Sequence, residues 1–150
     1  MYLQKSTVYI LRVGIILIIA FFLAACETSP EISPRPLAGF FEKVTALVTT
    51  TVRGQLRDHL LKQQLLEAHL PSFERMTAMN QLTEELKTIE PLKNLAYLLE
   101  ADILFELQKP EHHYERSHFN SPEVQRPLVS AIVAGMKKAL AQLKGGKDGT

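Results

Sequence analysis

From Leu37 onward, apolar residues return every three or four positions along almost the whole chain, and that spacing admits helices and little else. Positions 37, 40, 41, 44, 47, 48, 52, 56, 60 and 61 form one stripe. Leu65 and Leu66 extend it to about Leu70, where Pro71 follows. A helix of that length invites a kink or break near Gly54. Thr49-Thr50-Thr51 brings β-branched residues that favour a strand, yet the helical period runs through them unchanged. Ser72 is a cap for a second helix with Phe73, Met76, Met79, Leu82, Leu86 and Ile89 on one side. Pro91 suits the first turn of a third, which carries Leu92, Leu95, Leu99, Ile103 and Leu107 and ends before Pro110. Residues 110–121 have no stripe and read as a loop. Ser121-Pro122-Glu123 then starts a last helix with Leu128, Ile132, Met136, Leu140 and Leu143, which Gly145-Gly146 stops. The expectation is an all-α fold. A small antiparallel bundle of about four helices fills residues 37–144, and 145–150 form a disordered tail.

The first forty residues are different in kind. Val13 to Ala25 carry no charge, Lys5 and Arg12 precede them, and small residues close the run before Cys26. A basic start, a short apolar stretch and a small-residue exit make a secretory signal peptide over residues 1–25. An uncleaved membrane anchor needs roughly 20 apolar residues. Extending the run back to Ser6 supplies that length but places Arg12 in the hydrocarbon. The remaining alternative is an ordinary secreted chain whose lone cysteine has no internal partner.

Leu23-Ala24-Ala25-Cys26 resembles the lipobox of bacterial lipoproteins, and Cys26 is the only cysteine in the chain. The resemblance covers residues 1–26 and implies cleavage between Ala25 and Cys26. It also implies that the Cys26 thiolate carries a diacylglycerol thioether and that the new amino group takes a further fatty acyl chain of the palmitate class. Two or more chains hold a protein durably on a membrane, at about 0.8 kcal/mol per buried methylene. Glu27 follows the cysteine where lipoproteins retained in the inner membrane of enterobacteria carry Asp, which leans the address toward the outer membrane, facing the periplasm.

Pro30, Pro34 and Pro36 then break up residues 27–36 and favour an extended spacer. Residues 26–36 are therefore read as the lipidated cysteine and a tether, whose ten residues reach about 30 Å at 3.1 Å per residue. The whole chain has 17 Lys and Arg against 16 Asp and Glu. Losing Lys5 and Arg12 with the leader leaves 15 against 16, and no clustered basic face that would mark a nucleic-acid partner.

Motifs for catalysis are absent from the sequence. There is no glycine-rich phosphate loop, no His-Glu-x-x-His and no Gly-x-Ser-x-Gly, so no catalytic residue and no cofactor is assigned. Glu111-His112-His113-Tyr114-Glu115-Arg116-Ser117-His118 gathers three imidazoles and two carboxylates. His112, His113 and His118 are weak metal candidates, because ligands need fixed geometry and this stretch reads as a solvated connection. Asp102 and Glu106 share the apolar side of the third helix one turn apart. The commoner outcome for such a pair is an edge-of-core ion pair, with Arg53, Arg57 or Arg75 as partners. Met76, Met79 and Met136 sit on stripes and read as core filler. By analogy with helical lipoproteins that serve envelope machines, a tethered bundle suits a binding, assembly or pilotin-like module held near a protein partner. A periplasmic metal-binding protein or enzyme using residues 111–118 and a structural envelope lipoprotein are the alternatives.

Overall fold

The computed structural model describes the backbone of residues 34–149 and the side chains of residues 37–145. The leader, its exit at Ala25 and Cys26, and the spacer up to Ser33 lie outside the described residues. Among the described residues the fold is all-α. Six helices follow one another: α1 (Pro34–Leu56), α2 (Leu60–Glu74), α3 (Met79–Thr88), α4 (Lys93–Leu107), α5 (His113–Ser117) and α6 (Pro122–Gly149), with 3-10 turns at Glu90–Leu92 and Pro110–His112. None is long and apolar enough to cross a membrane.

The helical period of the first stripe survives, but its punctuation moves. Helix α1 already begins at Pro34, so two of the three prolines assigned to the extended spacer lie in a first helical turn. There the N–H they lack has no intrahelical acceptor to lose. Leu37, Phe40, Val44, Val48, Val52 and Leu56 are buried along one side, at intervals of three and then four residues. Gly54 stays inside the helix. The break falls instead at residues 57–59, where Asp58 takes φ 65°, a left-handed conformation that Asp tolerates better than most side chains. The carbonyl of Leu56 accepts from the N–H of His59 at 3.0 Å and from Gln63 Nε2 at 2.8 Å, a buried side chain that the stripe does not reveal.

Pro71 does not end a helix either. It sits within α2, on an exposed position where the unpaired carbonyl one turn earlier can be hydrated. The stripe from Phe73 to Ile89 is therefore split between the end of α2 and α3, and the turn between them places Ala78 in an extended conformation before Met79. The N–H of Met79 donates 2.8 Å to Gln125 Oε1, whose amide in turn donates to Phe119 O. At the other end, α6 passes through Gly145-Gly146 to Gly149. Glycine costs a helix about 1 kcal/mol relative to Ala, which weakens a turn without forbidding it.

The direction of the helices can be read from their cross-links. Lys43 faces Glu106 while Thr51 faces Asp102, so α1 and α4 are antiparallel. Lys144 pairs with Glu67 and Lys137 with Glu74, so α2 and α6 are antiparallel too. Helices α1 and α6 run parallel, because Thr45 Oγ1 donates to Ala131 O at 3.2 Å and Thr49 Oγ1 to Gly135 O at 3.3 Å. This contact explains the threonine run. Thr49 also donates 2.7 Å to Thr45 O, and Thr50 donates to Ala46 O, so the hydroxyls are satisfied within a helix. Gly135 makes the approach possible: a Cβ there would lie 2.7 Å from Val48 Cβ and 2.8 Å from Thr45 O.

One core joins these faces. Phe40, Phe73, Leu66, Leu82, Leu92, Ile103, Leu128, Ile132 and Met136 are fully buried, each worth about 1.5–3 kcal/mol of transfer free energy. Met79 and Met136 are core side chains and Met76 packs, partly buried, against the core, as their stripe positions suggest.

Candidate functional site

Among the described residues, the buried ionisable side chains Glu106, His112 and Glu115 gather where α4 ends. Helix α4 buries Leu95, Ala96, Leu99, Ile103 and Leu107 on its inner side, and Glu106 lies on that same side. After Lys109 the chain turns back through Pro110–His112 and α5. Arg116 clamps this return, since its Nη1 donates 2.7 Å to Leu107 O and 2.6 Å to Lys109 O. Leu107 O is a carbonyl at the end of α4, a natural place for an arginine, and Lys109 O also accepts the N–H of His112 at 3.0 Å. Ser121 Oγ then donates to His118 O, and Phe119 packs on the core. Residues 110–121 are thus folded and anchored, not the solvated loop expected from their lack of a stripe. Two short helical turns are too brief to display a period.

The clamp inserts two side chains. His112 is buried, with Nε2 2.6 Å from Glu106 Oε2 and its ring 5.0 Å edge-on from that of Phe40. Glu115 is completely enclosed, and neither of its carboxylate oxygens has a hydrogen-bond partner. Its Oε2 is 3.8 Å from His112 Nδ1, beyond hydrogen-bond reach. The result is a buried row, Glu106–His112–Glu115, with one imidazole between two carboxylates.

Lysines close the row on the solvent side. Lys43 Nζ is 2.6 Å from Glu111 Oε1 and 3.9 Å from Glu106 Oε2, while Lys109 Nζ is 3.0 Å from Glu106 Oε1. Burial pushes the Glu106 carboxyl up, but the hydrogen bonds and charges of Lys109 and His112 outweigh it and hold the group below the usual value. Lys43 holds Glu111 below the usual carboxylate range, and Glu111 raises Lys43 in return.

The three histidines singled out in the sequence are not brought together. His112 points inward, His113 is exposed, and His118 stacks on Tyr114 at 4.2 Å on the surface, where Tyr114 donates to Glu123. Asp102 accepts 2.5 Å from Thr51 Oγ1. Neither Asp102 nor Glu106 pairs with Arg53, Arg57 or Arg75 among these contacts. The register of α1 against α4 brings Lys43 and Thr51 to them instead. In sequence Glu115 stands out only as one of two carboxylates among the histidines of residues 111–118. Its nearest ionisable neighbour is one turn earlier, as His112-x-x-Glu115, a spacing that carries meaning only once the segment is known to be helical.

Compared with protein-family models, curated proteins and solved structures, this chain matches none. The site has to be read from its own chemistry.

A second feature lies on the outside of α4. Tyr97, Leu98, Leu104 and Phe105 are exposed, Phe105 to 74%, and with Ala101 they occupy one outward arc of about 120° at 100° per residue. Along the helix axis, Asn94 precedes this patch and Gln108 follows it. Helix α4 is therefore apolar on two opposite sides, and only one of them meets the core. A helix apolar all round ordinarily has both sides covered.

Proposed function

We propose that this protein is a non-catalytic binding, assembly or pilotin-like accessory module of a bacterial envelope complex. Residues 1–25 are its signal peptide, Cys26 its lipid anchor, and its address is the outer membrane, facing the periplasm. The observation that carries the binding role is the uncovered apolar arc of α4. Large aromatic and aliphatic side chains exposed together on one helix face are what a partner's apolar segment covers, and aromatic residues dominate such contacts. The anchor rests on the order Leu23-Ala24-Ala25-Cys26 after an uncharged run. The two fit together physically. A durable anchor confines the domain near membrane-bound proteins, and that raises its effective concentration beside them.

Photo-crosslinking in intact cells tests both parts. A crosslinker at Phe105 is expected to trap one envelope protein reproducibly, whereas one at Arg126, exposed on α6, traps none. The Phe105 adduct is expected to fade in a Cys26→Ala variant. Equal labelling from both positions would remove the case for α4 as the docking face. An intact mass for membrane-extracted protein that matches the uncleaved chain would remove the anchor.

A further inference from the structure

We infer that Glu106, Glu111 and His112 form a site for a divalent transition-metal ion such as zinc, with Glu115 positioning the ligand imidazole. One ligand atom from each of the three residues lies within 4.8 Å of the others. In a tetrahedral zinc site with bonds of 2.0–2.2 Å, neighbouring ligand atoms are about 3.4 Å apart. Two separations bracket that value: His112 Nε2 is 2.6 Å from Glu106 Oε2 and 3.7 Å from Glu111 Oε1. Small side-chain shifts suffice, and Glu111, whose side chain is half exposed, is free to make them.

The completely buried Glu115 is the independent pointer. A neutral imidazole carries one N–H. When Nε2 uses it toward Glu106, Nδ1 presents a lone pair to the Glu115 carboxylate, and both Glu115 oxygens stay orphaned. A metal on Nε2 reverses this. The N–H then sits on Nδ1 and points at Glu115 Oε2, 3.8 Å away and within a small rotation of a hydrogen bond. A ligand histidine backed by a carboxylate on its other nitrogen is the usual outer support of a metal site. One imidazole with two carboxylates suits zinc and its first-row neighbours better than calcium or magnesium, which take oxygen ligands throughout.

The carboxylates already hold a cation. The Lys43 ammonium lies between Glu111 and Glu106, and its half-exposed side chain can swing into water when a metal enters. Lysine and metal therefore compete for the same two carboxylates. This inference does not depend on the lipid anchor.

The test is a zinc titration of the untagged full chain in detergent against a chromophoric chelator. One saturable equivalent is expected, together with a higher melting temperature in zinc. Glu111→Gln, on the surface and outside the core, is expected to weaken binding at least tenfold. Lys43→Met, which removes the competing ammonium, is expected to tighten it roughly threefold, the worth of a surface ion pair. Glu115→Leu is expected to weaken zinc roughly tenfold. With cobalt as the probe it leaves the absorption bands in place, because the three ligands are unchanged. His113→Ala and His118→Ala leave affinity as it was. The proposal is overturned by a folded wild type that binds no zinc, by binding that survives Glu111→Gln, or by binding that disappears with Cys26→Ala or with the two surface histidines.

Discussion

The seam between α1 and α6 and the corner at the end of α4 are both buried, and they handle polarity in opposite ways. Along the seam each hydroxyl has somewhere to donate. Thr45 and Thr49 reach carbonyls on their own helix and on α6, and Gly135 lets the backbones close up. At the corner, a carboxylate with no exposed surface has no partner at all. A fully satisfied contact stabilises the fold. An unsatisfied one costs about 1–3 kcal/mol or more for a charged group, and it persists where something other than stability holds it in place. In a chain whose motifs are silent, such an unsatisfied buried group marks a place where function can reside.

The contrast between seam and corner is most exposed to test at Gly135. Gly135→Val would drive carbon into Val48 and the Thr45 carbonyl, and the loss should be about 3 kcal/mol in a denaturant titration. A loss below about 1 kcal/mol would mean that the two helices separate easily and that the seam is not a tight contact.

The corner should respond with the opposite sign. Glu115→Leu replaces an unpartnered buried carboxylate with an apolar group of similar size, and should raise stability in metal-free protein by about 1–2 kcal/mol. The same substitution should weaken zinc, so stability and binding would move apart. If Glu115→Leu destabilises the metal-free protein instead, the carboxylate is satisfied by a group the geometry does not reveal.

A smaller effect should come from hydroxyls on the seam. Thr49→Val keeps the shape and removes the donations to Thr45 O and Gly135 O, for an expected loss of about 1 kcal/mol.

Acid should act at the corner before it acts on the seam. The folded-state pKa of Glu106 lies below its ordinary 4.5, so its contribution is present above that value and is lost as pH falls through the folded-state pKa. Melting temperature followed from pH 6 to pH 3 should decline, and Glu106→Gln should flatten that decline. Parallel curves for the two proteins would show that other carboxylates carry the acid sensitivity. The smallest effect belongs to the exposed Lys144–Glu67 pair, where Lys144→Ala should change stability by less than about 0.5 kcal/mol.

Much of this fold could be read without coordinates. The buried positions of α1 and α6 follow their stripes nearly residue by residue, because a helix that packs one side on a core must repeat its apolar residues at 3.6. Helix ends were less legible. A glycine at 54, a proline at 71 and a glycine pair at 145–146 each carry a local cost of roughly 1–3 kcal/mol, and buried neighbours such as Leu56, Phe73 and Leu143 offset it. The order of residues 110–121 is hidden from sequence for a related reason. Their order comes from Arg116 capping α4 and from His112 and Glu115 turning inward, and neither depends on periodicity.

The sequence by itself determined the helical class, the core-facing residues of the long helices and the chemical resources of the chain, since each depends on local spacing or residue type. Only the tertiary structure decided which charges meet. Lys43 and Glu106 are 63 positions apart, and Thr45 and Ala131 are 86. Their contact depends on how two stiff helices slide and rotate against each other, a register that the burial of the whole core settles and that no short window of sequence contains.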